Sequence, residues 1–183
     1  MALDHAILVS LAERSASGYD LARRFDKSIG FFWQATHQQI YKVLSRMEAS
    51  GWVEATAVEE PGRPTKRVYA ITGDGRDELT RWTTEPTPIE TVRSDFAVKV
   101  RAMNFGDRDA VTADIVRQRD RHADRLAYYE ADCAKHFPEP GNLTDAELPA
   151  YLVLRGGIRT EQTYIAWCDE MLAALPATNT EDP

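Results

Sequence analysis

The chain has 183 residues, 43 % hydrophobic and 28 % charged, with a formal net charge of −7. That composition suits folded domains and argues against a wholly disordered chain, and no apolar run is long enough to span a membrane. The charge is unevenly spread: residues 1–84 hold 11 Lys+Arg and 11 Asp+Glu, while the remainder holds 11 against 18 and carries the whole deficit. Only the first half is therefore suited to facing a polyanion, for which a local basic stripe suffices whatever the net charge. The start, MALDHAILVSLAERS, lacks a basic n-region and a small-residue cleavage site, so it reads as a helix rather than a signal peptide. Cys133 and Cys168 form no Cys-x-x-Cys, and a chain so poor in cysteine suits a reducing cytoplasm better than a disulfide framework.

The first expected helix runs over Leu3–Arg14, with Leu3, Ile7, Leu8 and Leu11 on one face. Ser15–Gly18 is a break, and Ser17 is suited to cap the next helix, Gly18–Lys27. In that helix Leu21, Ala22 and Phe25 point inward and Arg23, Arg24 and Lys27 outward. An aromatic loop, Ser28–Trp33, follows. The third helix spans about Thr36–Ser50, where Ile40, Val43, Leu44 and Met47 fit the i, i+3, i+4, i+7 template and Gly51 suits the stop. Trp52–Val58 and Arg67–Ile71 read as a β-hairpin, joined by a linker that contains Pro-Gly and ends basic. Thr72 caps a fourth helix holding Leu79 and Trp82. The Glu85–Pro88 joint ends a first domain, 1–85.

A second domain, 89–176, reads as all helix. One segment, Asp95–Asn104, buries Phe96, Val100 and Met103. A long helix follows Asp107 and stops before Pro138, with Val111, Ile115, Leu126, Tyr129 and Cys133 roughly on one side. Its length of roughly 40–45 Å suits an arm lying against a partner. Thr144 and Glu147 fit a capping box, with Pro149 complicating the first turn. The last helix reaches Leu175, and Leu154, Ile158, Ile165, Cys168, Leu172 and Leu175 recur at steps near 3.5 as an interhelical seam. Residues 177–183 are a polar, frayed tail.

Three helices and a basic-tipped hairpin are the order of a winged helix-turn-helix, so the expected fold class is mainly α: an N-terminal winged helix-turn-helix followed by an α-helical dimerisation domain. The third helix has one apolar stripe to anchor it and offers Thr36, His37, Gln38, Gln39, Lys42 and Arg46 on its other face. Amide side chains pair bidentately with adenine edges, and basic ones suit phosphate or guanine. A recognition helix reads with its N-terminal residues, where Thr36–Gln39 lie. Arg63, Pro64, Lys66 and Arg67 at the wing suit a neighbouring groove or phosphate. The physics alone leaves a second reading, a winged-helix protein-interaction module, because a basic hairpin is more often a solvated face than a ligand site.

The run from Phe31 to Glu54, FFWQATHQQIYKVLSRMEASGWVE, resembles the recognition-helix signature of PadR-type regulators. Ser17–Leu21, Pro61–Pro64, Tyr69–Gly73 and Gly75-Arg76 resemble the same family, and Arg155–Ile158 with Trp167 resemble its virulence-activator type of C-terminal half. The resemblance implies a homodimer held by the C-terminal helices, often joined by the first helix, binding a two-fold DNA operator as a transcription regulator; a repressor is the expected sense, with activation left open by the sequence. It also implies that Tyr41 faces DNA, where its phenol donates to a phosphate; packing under the wing is the alternative. Leu3, Ile7, Val111, Ile115, Leu126, Ile158, Ile165 and Leu172 are then the dimer candidates. Regulators of this type often answer small aromatic compounds, which makes Trp33, Tyr164 and Trp167 candidate ligand contacts, although core and interface packing is the favoured reading of them.

Other chemistry finds less support. His122, Cys133 and His136 share the long helix, but only Cys133 and His136 have ligand spacing, so ordinary surface or seam roles are the better reading than a metal sensor. Cys133 with Cys168 as a redox pair is likewise weaker than two free thiols. Gly156-Gly157 inside a helix costs stability and admits either close helix contact or room for a ligand. No P-loop, Gly-x-Ser-x-Gly, His-Glu-x-x-His or dinucleotide fingerprint occurs, so no enzyme, metal or cofactor is expected.

Overall fold

The computed structural model describes residues 2–27, 35–59, 65–89 and 93–175. The chain divides into two compact units, Met1–Glu90 and Thr91–Pro183. Of the expected features, the aromatic loop with Trp33, the wing tip with Arg63 and Pro64, and the polar tail lie outside the described residues.

The first unit runs α1 (Ala2–Glu13), β1 (Ala16–Ser17), α2 (Gly18–Lys27), α3 (His37–Ala49), β2 (Val53–Val58), β3 (Lys66–Ile71) and α4 (Gly73–Thr83). This is a winged helix-turn-helix. The strands form an antiparallel sheet in the order β1-β3-β2, registered from Val53 opposite Ile71 to Val58 opposite Lys66. Strand β1 departs from expectation. Two residues are too few to carry an alternating pattern, and it exists because Ala16 and Ser17 pair with Tyr69 and Val68 of β3. Ser17 also caps α2: its hydroxyl accepts the Asp20 N–H at 3.1 Å and donates to the Asp20 carboxylate at 2.7 Å. That hydroxyl hydrogen bond is the main cause that lowers the Asp20 carboxyl below its usual range.

The core of this unit lies between α1, α2, α3 and the inner face of the sheet. All four stripe residues of α3 are buried, between 0 % and 7 % exposed, and each contributes roughly 1.5–3 kcal/mol of apolar burial. Gly51 ends α3 at φ 75°, a left-handed conformation that glycine adopts without steric cost, and the Trp52 N–H donates to the Met47 carbonyl at 2.9 Å. Arg24 departs from its outward assignment. Its guanidinium donates to the carbonyls of Ser10 at 2.9 Å, Arg14 at 2.8 Å and Ser15 at 3.3 Å, closing the C-terminal end of α1. Thr72 caps α4 as expected, accepting the Gly75 N–H at 3.1 Å. Between α1 and α4 lies a buried polar cluster in which His5 Nε2 is 2.8 Å from Glu78 Oε1 and the imidazole stacks on Trp82 at 4.4 Å.

The second unit holds α5 (Asp95–Arg101), a 3-10 turn (Met103–Phe105), α6 (Arg108–His136), a second 3-10 turn (Pro140–Asn142) and α7 (Leu148–Ala174). Ser94 caps α5 and Asp107 caps α6. Phe96, Val100 and Met103 are half-buried rather than buried. The Thr144–Glu147 box is half formed: the Glu147 carboxylate accepts from the Thr144 N–H at 2.9 Å and its hydroxyl at 2.7 Å, and the helix begins just after it, with Pro149 in its first turn. The long helix is not an arm reserved for a partner. It packs antiparallel against α7 of its own chain, with contacts from Arg119 with Asp169, through His122 with Glu161, to the Phe137 and Tyr151 rings at 5.5 Å. Gly157 belongs to this seam, since a Cβ there would meet the Tyr129 ring at 3.2 Å, whereas Gly156 faces open space. Among the described residues no helix is long and apolar enough to cross a membrane.

Candidate nucleic-acid interface

Helix α3 presents its polar face to solvent because its opposite face is fully spent on the core. Thr36, His37, Gln38, Gln39, Tyr41, Lys42 and Arg46 are all exposed. They are not equivalent. Thr36 and Gln39 form a reciprocal capping box: the Thr36 hydroxyl accepts the Gln39 N–H at 3.2 Å, and the Gln39 side-chain carbonyl accepts the Thr36 N–H at 2.8 Å. In this geometry the Gln39 carbonyl is unavailable for a bidentate base contact. Gln38 is not part of the box, and Lys42, four residues on, shares its face of the helix. Among the described residues no ion pair involves Lys42.

Arg46, expected to neutralise a phosphate, instead pairs with the buried carboxylate of Asp4 on α1. The side chain of Arg46 remains 47 % exposed, but its charge is compensated by an acid only 7 % exposed. Arg67 is similarly engaged. It donates to Glu48 at the end of α3 at 2.6 Å, and its guanidinium sits 5.6 Å from the centre of the Tyr69 ring. These two arginines fasten α3 to α1 and to the wing. Lys66 is exposed and is the first residue of β3, so it lies in the strand rather than at the tip of the wing. Tyr41 is 46 % exposed. Its ring rests on Gly18 at the start of α2, a packing role different from the expected place under the wing.

The sequence carries a sign of the Asp4 contact. Asp4 is three, four and seven residues before Ile7, Leu8 and Leu11, an acid on an apolar stripe. Glu161 carries the same sign in the second unit, falling between Ile158 and Ile165 on the seam of α7. It is 4 % exposed and is held by His122 and, at 3.4 Å, by Arg125.

The remaining candidates separate by burial. Ile7, Ile115 and Ile158 are 0–1 % exposed, so they are core residues of their own units with no surface left for a second subunit. Leu3, Val111, Leu126, Ile165 and Leu172 are half-buried. Tyr164 stacks on His122 at 4.4 Å and Trp167 meets Phe96 edge-on at 5.5 Å, all within the second unit. His122 is thereby committed to Glu161 and Tyr164, and His136 Nδ1 lies 3.1 Å from the Asp132 carbonyl one turn back. Both cysteines are free thiols. Cys168 is fully buried, and that burial raises its pKa.

Comparison with known proteins agrees with both halves of the geometry. Residues 7–81 match the model of the transcriptional regulator PadR-like family, and residues 92–176 match that of the virulence activator alpha C-terminal domain. A probable transcriptional regulator of Mycobacterium tuberculosis is 49 % identical over 96 % of this chain and 98 % of its own. The Bacillus subtilis PadR structure in complex with operator DNA superposes with a TM-score of 0.85 at 26 % identity, covering 95 % of this chain and 98 % of that one. PadR has also been solved with p-coumaric acid (TM-score 0.75, 27 % identity, 94 % and 98 % coverage). The Vibrio cholerae virulence activator AphA gives a TM-score of 0.76 at 34 % identity, with 93 % and 96 % coverage. A winged helix with a solvent-facing third helix, continued by an antiparallel helical hairpin and matched along nearly its whole length by such relatives, places this chain in the PadR-like family of transcriptional regulators.

Proposed function

We propose that the chain is a DNA-binding transcription regulator that acts as a homodimer, with α3 in the major groove and the wing against the flanking backbone. The observation that carries this is the α3 surface: a helix anchored by four buried side chains displays Gln38 and Lys42 one turn apart. Gln38, with His37 beside it, reads base edges. Lys42 and Lys66 bind phosphates, and Tyr41 donates its phenol to another. Arg63 and Pro64, which lie outside the described residues, are further candidates for backbone contact. The operator complex of the PadR relative supports DNA binding. Repression is the regulatory sense that the negative regulator PadR of Bacillus subtilis supports.

Pairing of two copies is supported by apolar side chains that the second unit leaves exposed, among them Val98 at 67 %, Leu152 at 57 % and Val153 at 50 %. Half-buried Val111, Leu126, Ile165 and Leu172 flank the hairpin seam and complete the contact, and Leu3 adds to it from α1. Two half-sites then lie about 10 bp apart, or a multiple of that. The Phe96, Tyr164 and Trp167 cluster is the aromatic surface that suits a small aromatic effector, as the p-coumaric acid complex of the relative supports.

The test is selection of duplexes from a random-sequence library, followed by anisotropy titration at several salt concentrations. Lys42→Ala is expected to lower affinity for every duplex and reduce the salt slope by about 1, and Gln38→Ala to erode discrimination between selected and scrambled duplexes. Recovery of no duplex at low salt would overturn the DNA-binding reading and favour a protein-interaction module. Release of the selected duplex by p-coumaric acid would support the effector reading, and sedimentation of the free protein as a monomer would overturn the dimer.

A further inference from the structure

Gly18 is the first residue of α2 and is buried, and its backbone gives no reason for glycine, because Gly51 alone among the described residues has positive φ. The reason is space. A Cβ at position 18 would lie 2.3 Å from Cε1 of Tyr41 and 3.0 Å from Cδ1 and Cζ, and these three ring atoms are its nearest neighbours. The ring of a recognition-helix residue therefore occupies the place where any other amino acid would put its side chain. We propose that Gly18 is a positioning residue for DNA binding: it seats the Tyr41 ring against the first turn of α2 and so fixes where the phenol meets the DNA backbone. This rests on the DNA-binding reading above and adds to it a residue that itself touches no DNA.

The physical consequence is specific. Tyr41 is 46 % exposed and turns about two side-chain torsions, so a methyl group at position 18 displaces the ring outward and leaves the core where it is. Alanine also suits the first turn of a helix better than glycine. Gly18→Ala should thus fold normally and lose affinity through Tyr41 alone. A hydrogen bond to a charged group commonly accounts for roughly 10-fold in affinity or more, and that is the expected loss for Gly18→Ala, for Tyr41→Ala and, nearly unchanged, for the double variant.

The experiment is a double-mutant cycle of the full chain on a duplex selected by the wild type, with thermal melts of all four proteins. The expected result is two single losses of similar size, a double variant no worse than Tyr41→Ala, and melting temperatures for Gly18→Ala and wild type within a few degrees. Additive losses, or a Gly18→Ala variant that binds as wild type, would overturn the proposal. So would a Gly18→Ala loss that persists in full when Tyr41 is already alanine, since the glycine would then act through the fold. Failure of the wild type to select any duplex is separately visible and would remove the DNA-binding reading itself.

Discussion

Gly75→Ala tests the packing of α4 against the turn before the wing. A Cβ at position 75 would stand 2.2 Å from the Trp52 carbonyl oxygen and 2.9 Å from Ile71 Cγ1, against an ordinary contact of 3.4–4 Å. The two must therefore part by more than 1 Å, and neither is free to move. The Trp52 carbonyl accepts the Thr72 N–H at 3.1 Å, the Trp52 N–H donates to Met47 at 2.9 Å, and the Gly75 N–H is held by the Thr72 hydroxyl. Overpacking of this kind costs about 1–3 kcal/mol, and loss of the Thr72–Trp52 hydrogen bond adds about 1 kcal/mol. The sum, roughly 2–4 kcal/mol, is a large part of the stability of a small domain. Urea unfolding followed by tryptophan fluorescence measures it best in a Trp167→Phe background, so that the signal arises only from the first unit. Gly73→Ala, with nothing within 4 Å of the new methyl group, is the control and should match the parent. A Gly75→Ala midpoint equivalent to less than about 0.5 kcal/mol of change, within the scatter of ordinary surface substitutions, would refute the reasoning.

The two adjacent glycines of α7 should behave in opposite ways. Gly156→Ala, in open space, should stabilise by about 0.5–1 kcal/mol through helix propensity. Gly157→Ala, facing Tyr129 at 3.2 Å, should gain nothing or lose stability, and equal denaturation midpoints for the two would contradict the seam described above. Glu161→Gln keeps the shape but removes the charge that His122 and Arg125 address. A loss of about 1–3 kcal/mol is expected in the second unit, read from the Trp167 signal, and an unchanged midpoint would mean that the cluster is energetically idle. Hydrogen bonds from Arg81 and then His5 hold the Glu78 carboxyl at about 2, below its ordinary 4.5. A depressed folded value stabilises fully above the unfolded pKa and is lost as pH falls through the folded one. Wild type should therefore lose stability more steeply than Glu78→Gln between about pH 4.5 and 2, and parallel acid titrations of the two would refute the assignment.

What could be read from the sequence was what short-range rules govern. The α3 stripe, the Gly51 stop, the Thr72 cap and the presence of the hairpin each follow from residues near one another in the sequence. Partners distant in sequence carry no such sign. Arg46 looked like a phosphate ligand because its acid lies 42 residues away on α1, and Arg67 because Glu48 lies 19 residues back. Strand β1 is two residues whose strand character comes from β3. The heptad-like spacing of α7 announced a seam without saying whose helix fills it. By spacing alone Ile158 and Ile115 suit a partner chain, whereas the hairpin buries both within itself. An acid on an apolar stripe is a sequence signal that points beyond local structure, and both Asp4 and Glu161 display it.

The Asp4–Arg46 pair bears on how such proteins can be re-engineered. Exchanging α3 alone between two winged helices is an obvious way to swap operators, yet here the helix reaches outside its own segment for its charge partner, and its tyrosine needs a glycine in the helix before it. A graft into a scaffold with an apolar residue at the place of Asp4 would leave Arg46 free to find a phosphate, raising affinity for all DNA while loosening the helix that is meant to discriminate. A graft that kept the acid but lost Arg46 would take one charge partner away from a buried carboxylate and so destabilise the scaffold. The transferable module is thus α3 together with positions 4 and 18, a set scattered over three helices that no alignment window centred on the recognition helix would enclose.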